Sequence, residues 1–230
     1  MEPIPLEKNL NWWWYKAKRN LLKHIIEHGK TKSNLKILEI GPGLGNNLET
    51  LNNYGSVDIL ELEPTFLSYL IEHKSDLFNN TYNNLEEINS SYDLIVLLDV
   101  LEHIEESKLF MKKIESLLKD QGLVIVGVPA YQSLWSAHDE KLLHFRRYNW
   151  KKLKDDCSNF HIVERYGLNY LLLPIRYIQI KFNRIPSINE NGRFLNNILY
   201  LISLIETIFR KIKINPKFGI SLYVKLHKKK

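Results

Sequence analysis

Three glycines at alternate positions, Gly41, Gly43 and Gly45, follow directly on an apolar run (Leu35, Ile37, Leu38, Ile40), with the acid Glu39 inside it. Glycine needs no room for a Cβ and accepts positive φ, so such a backbone can turn sharply and lie against a ligand. A strand, a glycine turn and a helical pattern (Leu44, Leu48, Leu51) make the first unit of an open nucleotide-binding α/β sheet. Farther on, residues 129–148 crowd Tyr131, Trp135, His138, Asp139, Glu140, His144, Arg146, Arg147 and Tyr148 past the end of an apolar strand. Imidazoles take a proton near neutral pH, and guanidinium forks suit phosphate or carboxylate. A plain connector has no use for that density of reactive side chains.

Spacing separates the nucleotide chemistries. A phosphate-binding P-loop would close on Lys-Ser/Thr, where this chain has Asn46-Asn47, and a dinucleotide fingerprint would need glycine where Asn46 stands. The observed G-x-G-x-G, with Glu39 two residues before its first glycine, resembles motif I of the class I S-adenosylmethionine-dependent methyltransferases. Asp99-Val-Leu-Glu-His103, directly after the strand-like run Asp93–Leu98, is similar to the "DVLEH" stretch of many small-molecule methyltransferases, including quinone-pathway enzymes. The loop from Pro129 to Tyr148 resembles a bacterial family with the signature VPAxxxLWSxHDxxxxHxRRY, often encoded among genes for surface glycan assembly. That family's aromatic N-terminal helix and "FGxSL" strand recur as Trp12–Trp14 and Phe218-Gly-Ile-Ser-Leu222. The resemblance covers nearly the whole chain, with residues 176–213 matching only in general character.

The resemblance implies S-adenosylmethionine as cofactor, held by Glu39, Gly41, Gly43, Gly45, Glu61, Asp99, Val100 and Leu101. Glu61 ends the strand expected at Val57–Leu62, where a carboxylate can accept both ribose hydroxyls. Glu63 is its rival, but the family's acid lies three residues before the proline, here Pro64, which selects Glu61. Asn83 or Asn84 would meet adenine, with no choice between them. On the acceptor side, His138 or His144 is expected as general base for an oxygen nucleophile, and His103 is a further base or a wall of the cofactor pocket. Tyr131, Trp135, Asp139, Arg146, Arg147 and Tyr148 would contact the acceptor, the arginines through a phosphate or carboxylate. Alternatively, Asp139 or Glu140 pairs with Arg146 or Arg147 and simply closes the loop. No metal is expected, because His138, Asp139 and His144 fit no standard zinc spacing. Two other functions compete with methyl transfer to a small-molecule, glycan or lipid-linked acceptor. One is a nicotinamide-dependent oxidoreductase, and the other is a protein that binds S-adenosylmethionine without chemistry.

These residues require a scaffold, and 230 residues with 44% hydrophobic content bury one good core. One domain over residues 1–230 is expected, with an N-terminal helix at 8–28 and a helical insertion at 168–214. The fold class implied is a Rossmann-like α/β sheet of seven mostly parallel strands in the order 3-2-1-4-5-7-6, helices on both faces. A single cysteine, Cys157, fits a reducing compartment, and Met1–Asn20 has no apolar signal region, so a cytoplasmic location is expected. The net charge of +6 is uneven: residues 176–230 carry 12 Lys/Arg against Glu190 and Glu206, while residues 1–175 hold 20 basic and 24 acidic residues. In the insertion, Phe194, Leu195, Ile198, Leu201, Ile202, Ile205, Ile208 and Phe209 recur at helical spacing. With interspersed Arg and Lys they suit an interfacial helix on the inner face of a membrane, or else core packing or a homodimer interface. Nucleic acid is not expected, because the basic residues alternate with aliphatics rather than stacking aromatics.

Overall fold

Near-continuous apolar runs are stable as strands only where both faces are covered, and the architecture meets that condition. The structure, a computed structural model, describes residues 12–28, 34–182 and 193–229. Its strands are β1 (Leu35–Ile40), β2 (Gly55–Leu60), β3 (Thr81–Tyr82), β4 (Tyr92–Leu98), β5 (Leu118–Pro129), β6 (Phe160–Leu168) and β7 (Ser221–Lys228). They form one sheet in the order β3-β2-β1-β4-β5-β7-β6. β1 through β5 run parallel, and β7 enters antiparallel between β5 and β6. The expected order is therefore observed. β3 is only two residues long, which is why its stretch of Asn, Thr and Tyr gave no strand pattern in the sequence.

Helices α1 (Trp13–Glu27), α2 (Leu48–Asn52), α3 (Pro64–Lys74), α4 (Ser107–Ser116), α5 (Ala137–Lys141), α6 (Trp150–Asp156), α7 (Leu173–Lys181) and α8 (Arg193–Lys211) complete the chain. Two apolar clusters cover the two sheet faces. One joins Leu38, Ile95, Val126 and Val224 to Met111 and Ile114 of α4 and Leu153 of α6. The other joins Ile37, Val57, Val96 and Tyr223 to Leu21, Leu22, Ile25 and Ile26 of α1. Those four α1 side chains are essentially inaccessible, and at ~1.5–3 kcal/mol each they bind α1 firmly to the sheet before entropy is counted. Residues 8–11 of the expected N-terminal helix lie outside the described residues.

The insertion after β6 is helical, and its second helix keeps its polar face inward, against the core-packing alternative read from the sequence. Ser203, Glu206 and Arg210 of α8 are buried, whereas Phe194, Leu201, Ile205 and Ile208 are exposed. The inward polar face makes specific bonds. Glu206 accepts from the Asn169 and Leu171 amides at 2.8 and 2.9 Å, and Arg210 Nη2 donates to the Gly167 carbonyl at 3.0 Å and to Glu206 at 3.1 Å. Asn196 Oδ1 accepts from the Trp13 amide at 2.9 Å, and Lys16 lies over the Tyr200 ring, so α8 rests on α1 as well. Residues 183–192 of the insertion lie outside the described residues. Among those described, no helix is long and apolar enough to cross a membrane.

Candidate active site

Parallel strands all present their carboxyl ends at one edge, and here that edge collects the glycine turn, Glu61, Asp99 and the long loop after β5. Gly41, Gly43 and Gly45 have φ of +64°, +56° and +68°, so all three positions use a conformation that favours glycine. A Cβ on Gly41 would sit 2.8 Å from Val100 Cγ2, and one on Gly45 2.7 Å from Leu48 Cδ1, while one on Gly43 would meet nothing within 4 Å. The outer glycines are thus required by close packing, and the middle one faces open space.

Glu61 reaches this turn. Its Oε2 accepts from the Gly43 amide at 2.9 Å and its Oε1 from the Glu63 amide at 3.0 Å. Glu63 instead caps α3 through the Thr65 amide. Beneath the turn, Glu39 is 2% exposed, with Oε1 accepting from Asn47 Nδ2 at 2.8 Å and Oε2 bonded to nothing. Burial pushes its carboxyl up to about 7, against the Asn47 hydrogen bond and the charge of Lys74. Asn84 accepts from the Glu86 amide and opens a short 3₁₀ turn; it and neighbouring Asn83 are both exposed.

Past β4, Asp99 takes φ +57° and pairs with the buried Lys18 of α1, whose ammonium also lies over the Trp14 ring. The aromatic N-terminal helix therefore does more than cover the sheet: it places a cation on Asp99. Leu101 opens a 3₁₀ turn and accepts at its carbonyl from the Tyr148 hydroxyl at 3.1 Å. Glu102 in that turn is buried, with both carboxylate oxygens free of hydrogen-bond partners.

The loop from Pro129 to Tyr148 is organised by Asp139, which is wholly buried. It accepts from the Ser136 amide (2.9 Å) and hydroxyl (3.1 Å), from His144 Nδ1 (3.0 Å), and from Arg147 Nε and Nη2 (2.7 and 3.0 Å). Burial alone would raise its carboxyl, but the bonds from His144 and Arg147 and the Arg147 charge hold it well below the usual carboxylate range. Arg147 also donates to the Ala130 carbonyl, and Arg146 donates to Ser107 Oγ at 2.9 Å and the Glu105 carbonyl at 2.8 Å. Asp139, Arg146 and Arg147, expected to contact the acceptor, have polar atoms engaged within the loop and beside α4, and the Asp139–Arg147 pair is the one the loop-closing alternative named. Tyr148 is likewise buried on Leu101. Trp135 Nε1 donates to Glu140 at 3.4 Å, and Tyr131 stands at φ +56°, a strained value for a bulky residue at the end of β5.

His144 and Arg176 keep polar atoms unengaged among the described residues. His144 has Nδ1 fixed by an acceptor-only carboxylate, so Nδ1 carries the proton and Nε2 presents a lone pair. Its ring packs edge to face on His103 at 4.6 Å between centroids. His138 is on the exposed side, and burial of part of its ring shifts its pKa downward, with His144 and Arg176 adding to the shift against Asp139. Arg176 of α7 is the second: it is partly buried beside Arg147 and Asp139 and has no hydrogen-bond or ion-pair partner among the described residues. The sequence reading missed Arg176, Lys18 and Glu102. The first two lie far from the motifs in sequence, while Glu102 stood in plain view inside Asp99–His103.

A family model described as a methyltransferase domain matches residues 13–171. The ubiquinone biosynthesis O-methyltransferase of Rickettsia bellii is 29% identical over 114 residues, 46% of this chain and 47% of that protein. The chain thus spans about half the length of the curated relatives it matches. Among solved structures, an S-adenosylmethionine-dependent methyltransferase from Clostridium acetobutylicum aligns with TM-score 0.60 at 14% identity, covering 94% of this chain and 92% of its own. The N-methyltransferase NodS of Bradyrhizobium japonicum, in complex with S-adenosyl-L-homocysteine, aligns with TM-score 0.56 at 10% identity, covering 100% and 90%. At those identities the structural likeness speaks for the fold, and the family match speaks for the rest: the chain belongs to the methyltransferase-domain family and carries the class I methyltransferase fold.

Proposed function

We propose that this protein transfers a methyl group from S-adenosylmethionine to an oxygen of a small-molecule, glycan or lipid-linked acceptor. The observation that carries the reading is the glycine turn: three positive-φ glycines, open space at Gly43, and Glu61 bonded to the Gly43 amide. The residues fit the cofactor. Glu39 keeps one buried oxygen without a partner beneath the turn, a place for influence on an ammonium group through the loop. Glu61 suits the ribose hydroxyls, and Asn83 suits adenine, since Asn84 is engaged in its own turn. When bound, S-adenosylmethionine supplies a methyl on a sulfonium, a good leaving group. What the protein must add is chiefly alignment, which contributes roughly 7–11 kcal/mol in well-oriented systems.

The choice of oxygen rests on His144. A carboxylate acceptor needs no base, whereas a hydroxyl must lose its proton, and Asp139 orients the imidazole so that Nε2 faces away from it. His144 therefore takes the catalytic assignment shared in the sequence with His138. Arg176 takes over the anion-binding role expected of Arg146 and Arg147. Tyr131 and Trp135 line the acceptor side.

Calorimetry should show binding of S-adenosylmethionine and S-adenosylhomocysteine and none of NAD. Methyl transfer from labelled S-adenosylmethionine into cell extract should fall at least ten-fold in His144→Ala with cofactor affinity retained. Binding of NAD alone would overturn the assignment, and full transfer by His144→Ala would refute the base.

Location follows from α7 and α8. Phe194, Leu201 and Ile208 of α8 are exposed, as are Ile175, Tyr177 and Ile178 of α7, and Lys181, Arg193, Lys211 and Lys213 fall at or just past the ends of these helices in sequence. An apolar face bordered by cations matches an anionic bilayer, where each basic residue contributes about 1 kcal/mol. We read this face as a peripheral contact that brings the pocket to an acceptor embedded in or near the membrane. Protein that fails to float with anionic liposomes at low salt would refute it, and dimerisation in solution would mark the face as a subunit contact instead.

A further inference from the structure

We propose that Glu102, His103 and His144 form a binding site for a divalent cation of the zinc class on the acceptor side of the sheet edge. One donor atom from each of the three lies within 4.8 Å of the others. Glu102 is 1% exposed and neither of its carboxylate oxygens has a hydrogen-bond partner. Burial and the Asp99 charge favour the protonated form of this carboxyl, against the charges of Lys18 and Arg147. Those two cations make their hydrogen bonds elsewhere, Lys18 to Asp99 and Arg147 to Asp139, so the Glu102 oxygens remain open as ligand atoms.

His144 is set up as a ligand from behind. Its Nδ1–H goes to Asp139 at 3.0 Å, leaving Nε2 for a metal, and the His103 ring packs edge to face against it. An imidazole oriented by a carboxylate or a carbonyl on its far nitrogen is the usual arrangement around protein-bound metals. The turn and the loop are also tied together, because the Phe145 amide donates to the Glu102 carbonyl at 2.8 Å. Metal–ligand bonds of about 2.0–2.2 Å place tetrahedral donors roughly 3.3 Å apart. The ring of His103 is exposed at the edge. Its exposure gives the ion a path from solvent. The loop's own histidines showed no zinc spacing because two of the three donors come from the turn after β4.

Two imidazoles and one carboxylate leave a fourth position open, the donor set of reactive rather than purely structural zinc sites, and the affinity order favours Zn²⁺ over Mn²⁺ and Co²⁺. Resting on the methyl-transfer reading, the open position would receive an oxygen substituent of the acceptor and promote release of its proton to solvent. The lone pair of His144 would then act through the cation instead of as a bare base.

The test uses the full chain, freed of metal by a chelator, titrated with zinc chloride by calorimetry and with cobalt chloride by visible absorption. One equivalent should bind, with tetrahedral-type cobalt bands. Glu102→Gln and His103→Ala should each weaken zinc binding at least ten-fold while S-adenosylhomocysteine binding persists as the check on folding. Absence of saturable one-to-one binding by the unaltered protein, or unchanged affinity in His103→Ala, would overturn the site. Zinc binding without S-adenosylhomocysteine binding would support the site and refute the methyl-transfer reading instead.

Discussion

Glu39→Gln should stabilise the protein at pH 8 and weaken its cofactor binding. The buried Glu39 carboxyl is raised by burial from 4.5 to about 7, so between those values the unfolded chain ionises this group and the folded chain does not. A raised carboxyl favours the folded state at low pH. Its contribution falls as pH rises from about 4.5, and the full penalty stands above about 7. At 1.36 kcal/mol per unit the gap amounts to about 3 kcal/mol. Glutamine keeps an acceptor for Asn47 Nδ2, and its unpartnered amide N–H₂ replaces the unpartnered hydroxyl of the protonated acid, so the two proteins should be near equal at pH 5. Urea denaturation at pH 5 and pH 8 measures this, with an expected gain for the variant of about 2–3 kcal/mol at the higher pH only. A variant less stable than wild type at pH 8, or a difference that does not change with pH, would refute the reasoning. The cofactor's positive charge should draw Glu39 toward its ionised form, so S-adenosylmethionine binding near pH 6.5 should release protons. Calorimetry in buffers of different ionisation enthalpy detects that release, which should vanish in Glu39→Gln.

Gly45→Ala puts a Cβ 2.7–2.8 Å from Leu48 and Leu70 at φ +68°, and strain plus overpacking should cost about 2–4 kcal/mol in thermal or urea unfolding. Gly43→Ala meets no neighbour, so its stability loss should stay within about 1–2 kcal/mol while S-adenosylhomocysteine affinity falls more steeply. Tyr148→Phe removes the hydroxyl bonded to the Leu101 carbonyl and should cost about 1–2 kcal/mol by urea denaturation. Leu201→Glu, on the exposed face of α8, should abolish liposome flotation and leave the melting temperature within a degree or two.

The sheet was legible because its signals are local. Strands buried on both faces write themselves as apolar runs, and positive-φ turns write themselves as glycines, so β1, β2, β4 and β5 and their edge residues could be read in order. The strand ends shifted by a residue or two, as at β2, where hydrogen-bond pairing rather than apolarity sets the limit. The acceptor side was less legible because charge in a loop has two uses that look identical in sequence. Arg147 and His144 sit three residues apart in the same dense stretch, yet one is locked onto Asp139 through two donors on one edge of its guanidinium and the other keeps a free nitrogen. Partners such as Lys18, 81 residues before Asp99, have no local signature at all.

The inverted polarity of α8 was beyond a helical-wheel argument for a related reason. Periodicity tells how wide an apolar stripe is and leaves open which side meets the protein. Here the decision falls to two residues. Glu206 satisfies the amides of Asn169 and Leu171 just past the end of β6, and Arg210 satisfies the carbonyl of Gly167. Those backbone groups need partners once the strand ends, and a buried unpaired group costs about 1–3 kcal/mol. Turning the apolar stripe inward would pack Leu201 and Ile208 but strip these partners from the chain and leave the amides and carbonyl unmet. The polar face is held in by the end of a strand, and the apolar face is thereby left at the surface.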